Sequence, residues 1–308
     1  MPSQHVVAPL TDSAIFLTLT VADTPEALDK VRSVLGLVPA NTKAIDFRCQ
    51  NTVVHTVVGI GSQLWDRLTT TQRPAQLHDF PREFAGQKHT APSTPGDILL
   101  HVRSGEMGLC WEIVRQVTTA LGDAASVVDE VHGFRYFDNR DLLGFVDGTA
   151  NPQGEEAVEV VHIGDEDPEH KGGSYIHVQN YIHDMAAWEA LSVEEQEGVI
   201  GRTKFSDVEL SGDAMPENSH VALNDIGQDI YRLNMPYGSA DGGVNGTYFI
   251  SFSADPSITE KMLRNMFIGN PEGNYDRILD FSRPVTGAMF YMPTKEMLKE
   301  IRNTPANS

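Results

Sequence analysis

Positive charge, cysteine and long apolar runs are all scarce in this sequence, and each shortage closes a route. Only 23 lysines and arginines stand against 43 acids, a formal charge of -20. Nucleic acid and anionic membranes require basic patches, so neither is expected as a partner. No apolar run approaches the ~20 residues of a membrane span. The opening MPSQHVVAPLTDS has neither a basic n-region nor a twin arginine, so no export signal is expected and the expected location is cytoplasmic. The two cysteines, Cys49 and Cys110, are far apart and form no metal motif, as suits thiols in a reducing compartment. A P-loop, GxGxxG, HExxH and GxSxG are all missing, which removes the common nucleotide-binding and hydrolase routes.

What is present is a globular chain. Its 308 residues, 40% of them apolar, suffice for one large domain or two of ordinary size. In the first half, strands are expected at 14–21, 51–61, 97–104 and 126–134. Helices are expected at 23–36 and at 106–122, the latter with Met107, Trp111, Val114 and Leu121 near one face. The proline-rich stretch 69–96 reads as a long loop. In the second half, strands are expected at 174–182, 229–235, 246–253 and 285–293. Helices are expected at 184–191, at 192–202 with Ser192 and Glu195 as a capping box, at 257–269 with Ile258, Met262 and Met266 on one side, and in the tail. About four strands per half, with helices interspersed, favour α+β with antiparallel sheets covered by helices. The halves read as two copies of one βαβ-type unit, 1–140 and 141–308, with the junction near 138–152.

The chemistry begins with 142-LLGFVDGTANP-152, where an apolar run ends in Asp147 between Gly144 and Gly148 and then turns. His220 follows a Pro- and Asn-rich approach in 216-PENSHVALND-225. In 229-DIYRLNMPYG-238, period-two alternation puts Tyr231 and Leu233 on one face and Arg232 and Asn234 on the other. An acid, an arginine, an asparagine and a histidine fit a haem pocket. A neutral imidazole binds iron from one side, while acid and arginine move a proton and stabilise charge on the other.

GFVDGTANP resembles the GxxDG signature of the dye-decolourising peroxidases. An ordered set of further phrases, including 73-RPAQLHDFP-81, 163-IGDEDPEHKGGSYIHVQNYIHDM-185, 200-IGRTKFSDVEL-210 and 275-YDRILDFSRPVTG-287, resembles that family's short, bacterial, cytosolic B-type branch. The resemblance implies two ferredoxin-like halves (dimeric α+β barrel-like), with haem b bound mainly in the second. It implies a peroxidase that reduces hydrogen peroxide and oxidises dyes, phenols or other bulky one-electron donors through an oxoferryl intermediate. Asp147 matches the distal acid, Arg232 and Asn234 the distal arginine and its polar neighbour, and His220 the axial iron ligand. Asn151 and Arg202 fall where the family lines the haem edge and propionates. Asp276 and Asp280 are two candidates for the acid that accepts the imidazole N–H. Trp188, Tyr231, Tyr237 and Tyr248 are candidates for surface electron transfer, each more simply read as core. The partners expected are hydrogen peroxide, small-molecule reductants and further copies of the chain in a dimer or larger homo-oligomer. The alternative is a haem carrier or iron-releasing protein of the same fold with little peroxidase activity.

Overall fold

The computed structural model describes residues 3–49, 52–81, 84–148 and 151–304. The first half runs β1 (Ser13–Val21), α1 (Pro25–Asp46), β2 (Val54–Ile60), α2 (Ser62–Leu68), β3 (Ile98–Ser104), α3 (Met107–Leu121) and β4 (Ala125–Phe134). The second half runs α4 (Gly154–Val161), β5 (Ser174–His183), α5 (Met185–Glu189), α6 (Val193–Ile200), α7 (His220–Asn224), β6 (Tyr231–Arg232), β7 (Met235–Gly238), β8 (Asn245–Ser253), α8 (Pro256–Phe267), β9 (Ser282–Pro284), β10 (Ala288–Met292) and α9 (Lys295–Asn303).

The strands form one sheet in the order β4-β1-β3-β2-β10-β5-β8-β6, with β7 also on β8 and β9 on β5. Every recorded pairing is antiparallel. Counted within its own half, each group reads fourth-first-third-second. That order, with helices after the first and third strands, is ferredoxin-like, so the α+β expectation holds and the two halves share one plan. They meet where β2 pairs β10 through Tyr291 and Ile60.

Strand periodicity separates two cores. On β1, Ile15, Leu17 and Leu19 face a core shared with α1, α3, α8 and α9. Ala14 and Phe16 face a second core shared with β5, β6 and β8. Phe16 stacks on Tyr248 with ring centroids 4.2 Å apart, although β1 and β8 are distant in the strand order. The sheet therefore curls until its ends approach, in the manner of a barrel. At that approach, a Cβ on Gly133 of β4 would lie 2.6 Å from the Met235 Cβ of β7, so only glycine fits there.

Several boundaries differ from expectation. α1 does not stop at Gly36 but continues to Asp46, because Gly36 is a contact point where a Cβ would meet Arg302 of α9 at 2.5 Å. Trp111 of α3 is 52% exposed, and the buried face is Cys110, Ile113, Val114, Val117 and Leu121. On α8 the buried residues are Pro256, Thr259, Leu263, Met266 and Phe267, not Ile258 and Met262. α4 was not expected; it is only 8 residues long and buries just Ala157 and Val161. The Ser192–Glu195 capping box forms as expected.

Candidate active site

Asp147 is carried by a hairpin. Asn139 and Val146 flank its closure: Arg140 bridges Val146, and the Asp147 N–H donates to Asn139 O at 2.9 Å. Asn139 takes φ 67°, a value that asparagine tolerates better than most residues. Inside the hairpin, the Asp141 carboxylate accepts the Phe145 N–H at 3.0 Å. Leu143 and Phe145 are buried with Trp188, Val199 and Ile200, which anchors the apolar run and leaves Asp147 at its end. Thr149 and Ala150 lie outside the described residues.

Arg232 and Asn234 come from the expected strand 229–235, which the structure divides into β6 and β7. The register is continuous across the break, with Arg232 opposite Ser251 and Met235 opposite Tyr248. The ladder is interrupted by a side chain. The Ile250 N–H donates at 3.1 Å to Asn234 Oδ1 rather than to a backbone carbonyl. This fixes the amide orientation, and Asn234 Nδ2 donates to Asp147 Oδ2 at 3.1 Å. Tyr231 and Leu233 are buried, while Arg232 and Asn234 are half-buried on the other face, as alternation required.

Asp147, Asn151, Arg232 and Asn234 line one recess together with Leu10, Thr11, Tyr136 and Arg140, with an open volume of about 60 Å³. The Arg232 guanidinium makes no hydrogen bond or ion pair among the described residues; only its backbone N–H and C=O are engaged. An unpaired guanidinium that lines the same recess as a carboxylate is prepared for an oxygen ligand. The volume suits a molecule the size of peroxide.

His220 opens α7, with Ser219 as N-cap accepting from the Ala222 N–H at 3.3 Å. Of the two candidate acids, Asp276 is the one that meets it. Asp276 is fully buried, and its Oδ2 lies 2.7 Å from His220 Nδ1. Asn224, one turn along the helix, donates to His220 O at 2.7 Å. Asp280 is occupied elsewhere, by Lys88 at 2.5 Å and His89 at 3.0 Å. His220 Nε2 has no partner among the described residues, and 28% of the side chain is exposed. A carboxylate-held Nδ1–H fixes the tautomer that leaves a lone pair on Nε2, which is the donor set haem iron takes from a histidine.

Asp141 links the two sides. Burial pushes its carboxyl up to about 7, with Asp147 adding to the rise and His220 opposing it. It therefore lies within electrostatic reach of both the acid and the imidazole. Nothing in the sequence beyond one acid beside an apolar run signalled it, and Asn224 was signalled only by its i+4 spacing from His220 on a helix of five residues.

The other expected residues have partners within the chain. Arg202 is spent within its own loop, on Asp207 at 2.9 Å and Glu209 at 3.1 Å. Asn151 bonds the backbone of Arg232. Trp188 is buried with its indole N–H on Leu143 O at 2.9 Å, and Tyr231 and Tyr248 are buried core. The half-buried Tyr237 donates its hydroxyl to Asn180 Oδ1 at 2.5 Å.

A ferredoxin-like pair curled into one barrel, with a carboxylate-anchored imidazole and an acid–arginine recess in its second half, has the design of a haem peroxidase. The family models for the Dyp-type peroxidase N-terminal and C-terminal regions match residues 3–135 and 138–297. The chain belongs to the Dyp-type peroxidase family. It is 53% identical over 303 residues to a dye-decolorizing peroxidase of Mycobacterium tuberculosis, covering 96% of this chain and 89% of that protein. The solved structure of DyPB from Rhodococcus jostii RHA1 superposes with a TM-score of 0.93 at 50% identity, covering 96% of this chain and 97% of that one. A variant of the same DypB, solved in complex with haem, gives 0.94 at 50% identity with 97% and 98% covered. The protein is accordingly a haem-dependent peroxidase, acting on hydrogen peroxide and one-electron donors. No helix among the described residues is long and apolar enough to cross a membrane.

Proposed function

We propose that peroxide is cleaved in the Asp147–Arg232–Asn234 recess and that His220 holds the haem iron. The observation that carries this reading is the unpaired Arg232 guanidinium lining the same small recess as Asp147. Haem, when bound, supplies the iron that accepts an oxygen atom and passes on the oxidising equivalents. The chain's residues do the rest. Asp147 Oδ1, without a partner among the described residues, takes a proton from one peroxide oxygen and delivers it to the other. Arg232 faces the oxygen on which charge develops as the bond breaks. Asn234, locked by Ile250, keeps Asp147 turned into the recess. Asp276 strengthens His220 as a donor and prevents the ring from rotating.

The recess admits peroxide but not a bulky reductant, so electrons from dyes or phenols arrive from outside it. We retain the half boundary at 140/141, supported by the Tyr136–Arg140 bridge that closes the hairpin at that point. Self-association is also proposed, supported by the exposed rings of Phe137 and Phe205, and a cytoplasmic location is kept from the sequence. The test of the site is Arg232→Ala. The reaction of the haem-loaded protein with peroxide should slow by roughly 100-fold or more, while haem titration of the apoprotein is unchanged. Full peroxide turnover in that variant would show the assignment wrong.

A further inference from the structure

Arg232 lies on β6, at the end of the strand order. In the β6–β8 ladder, the Leu233 N–H donates to Ile250 O at 3.1 Å, so the residue before it belongs to the alternate, non-hydrogen-bonded kind of pair. The backbone N–H and C=O of Arg232 therefore point away from β8, where an edge strand has no neighbour. Asn151 supplies one. Its Oδ1 accepts the Arg232 N–H at 2.9 Å, and its Nδ2 donates to Arg232 O at 2.6 Å. Both ends of one side-chain amide copy a β-bridge. The Asn151 backbone N–H closes a turn on Gly148 O at 3.2 Å, next to Asp147. The segment bearing the acid is thereby tied to the segment bearing the arginine, 81 positions away.

We infer that Asn151 is a positioning residue for peroxide cleavage: its amide serves as a one-residue strand that holds Arg232 at a fixed distance from Asp147. Two ties then set the acid–arginine spacing, Asn151 through the backbone of Arg232 and Asn234 through the carboxylate of Asp147. The inference rests on the proposed roles of Asp147 and Arg232.

The test uses Asn151→Ala, which removes both bonds, and Asn151→Asp, which keeps the acceptor and loses the donor. In the apoprotein, amide hydrogen exchange at Arg232 should quicken by about tenfold or more in Asn151→Ala and be largely protected in Asn151→Asp. With haem loaded, the second-order rate with hydrogen peroxide should fall by about tenfold in Asn151→Ala, while the affinity of the apoprotein for hemin stays within about twofold. On an Arg232→Ala background, Asn151→Ala should add little further loss, since the tie has nothing left to hold. Unchanged exchange at Arg232, a tenfold loss of hemin affinity, or full additivity with Arg232→Ala would each overturn the inference. If Arg232→Ala alone leaves the peroxide rate intact, the functional reading fails instead, and the exchange measurement still decides whether the clamp exists. Should Asn151→Ala fail to fold, Asn151→Asp carries the same comparison.

Discussion

Replacing Asp276 by asparagine takes one charge and almost no volume from behind His220. The carboxylate is fully buried and accepts from His220 Nδ1 at 2.7 Å and from the Ile278 N–H at 3.0 Å. A charge-assisted bond of this kind contributes about 1.5–3 kcal/mol. The substitution has a second effect. If the new amide presents its Nδ2, it donates to Nδ1, and the ring proton must move to Nε2, the atom that has to carry the lone pair. Both effects weaken iron binding. The affinity of the apoprotein for hemin, followed by the Soret band, should fall by roughly 10–100-fold. Equilibrium unfolding of the apoprotein separates this from a loss of folding. Hemin affinity within twofold of the parent, in a folded Asp276→Asn protein, would refute the anchored-imidazole argument. His220→Ala should abolish the Soret shift altogether.

Asp141 gives a stability effect with a definite sign. Its folded carboxyl is raised from 3.8 to about 7, chiefly by burial, so the fold binds a proton that the unfolded chain has released. The apoprotein should therefore lose stability as pH rises from about 4 to 7, by at most about 4 kcal/mol. Asp141→Asn should flatten that slope and raise the midpoint at pH 8; an unchanged slope would contradict it. His78 carries the same sign in a higher window. The Glu260 carboxylate at 3.0 Å raises it to about 8, so its contribution is complete below the unfolded value of 6.5 and disappears as pH passes 8. In Glu260→Gln, the His78 titration followed by NMR should move down toward 6.5, and no movement would show that the carboxylate is not its partner. Asn234→Ala should cost peroxide reactivity through Asp147 while hemin affinity stays level, and equal loss of both would place Asn234 elsewhere.

The strands and the α+β class were legible because β1, β3, β5 and β8 stand in short runs rich in apolar and β-branched residues, most of which are buried. The barrel closure was not, since it depends on Gly133 meeting Met235 across the fold. Asp147, Arg232, Asn234 and His220 were visible as residue types beside apolar runs. The choice of Asp276 over Asp280 was invisible, because one caps and the other ends the same 3-10 turn, and only tertiary packing gives one to His220 and the other to Lys88. The partners that Arg202 and Asn151 find within the chain were also invisible. One bonds Asp207 and Glu209 and the other the Arg232 backbone, and no composition signal shows which polar groups the fold itself engages.

The seam between the halves has a mechanical consequence. β2 and β10 share one paired position, Tyr291 with Ile60, yet Phe290, Tyr291 and Met292 are all fully buried. The joint is riveted by side chains and hardly stitched by backbone. Pulled apart, it would slip rather than unzip, resisting until the rings leave their sockets and then releasing at once. The recess takes its lining from both halves, Leu10, Thr11 and Phe134 from one and Asp147, Arg232 and Asn234 from the other, so a slip at the seam would alter the space around the reacting residues as well.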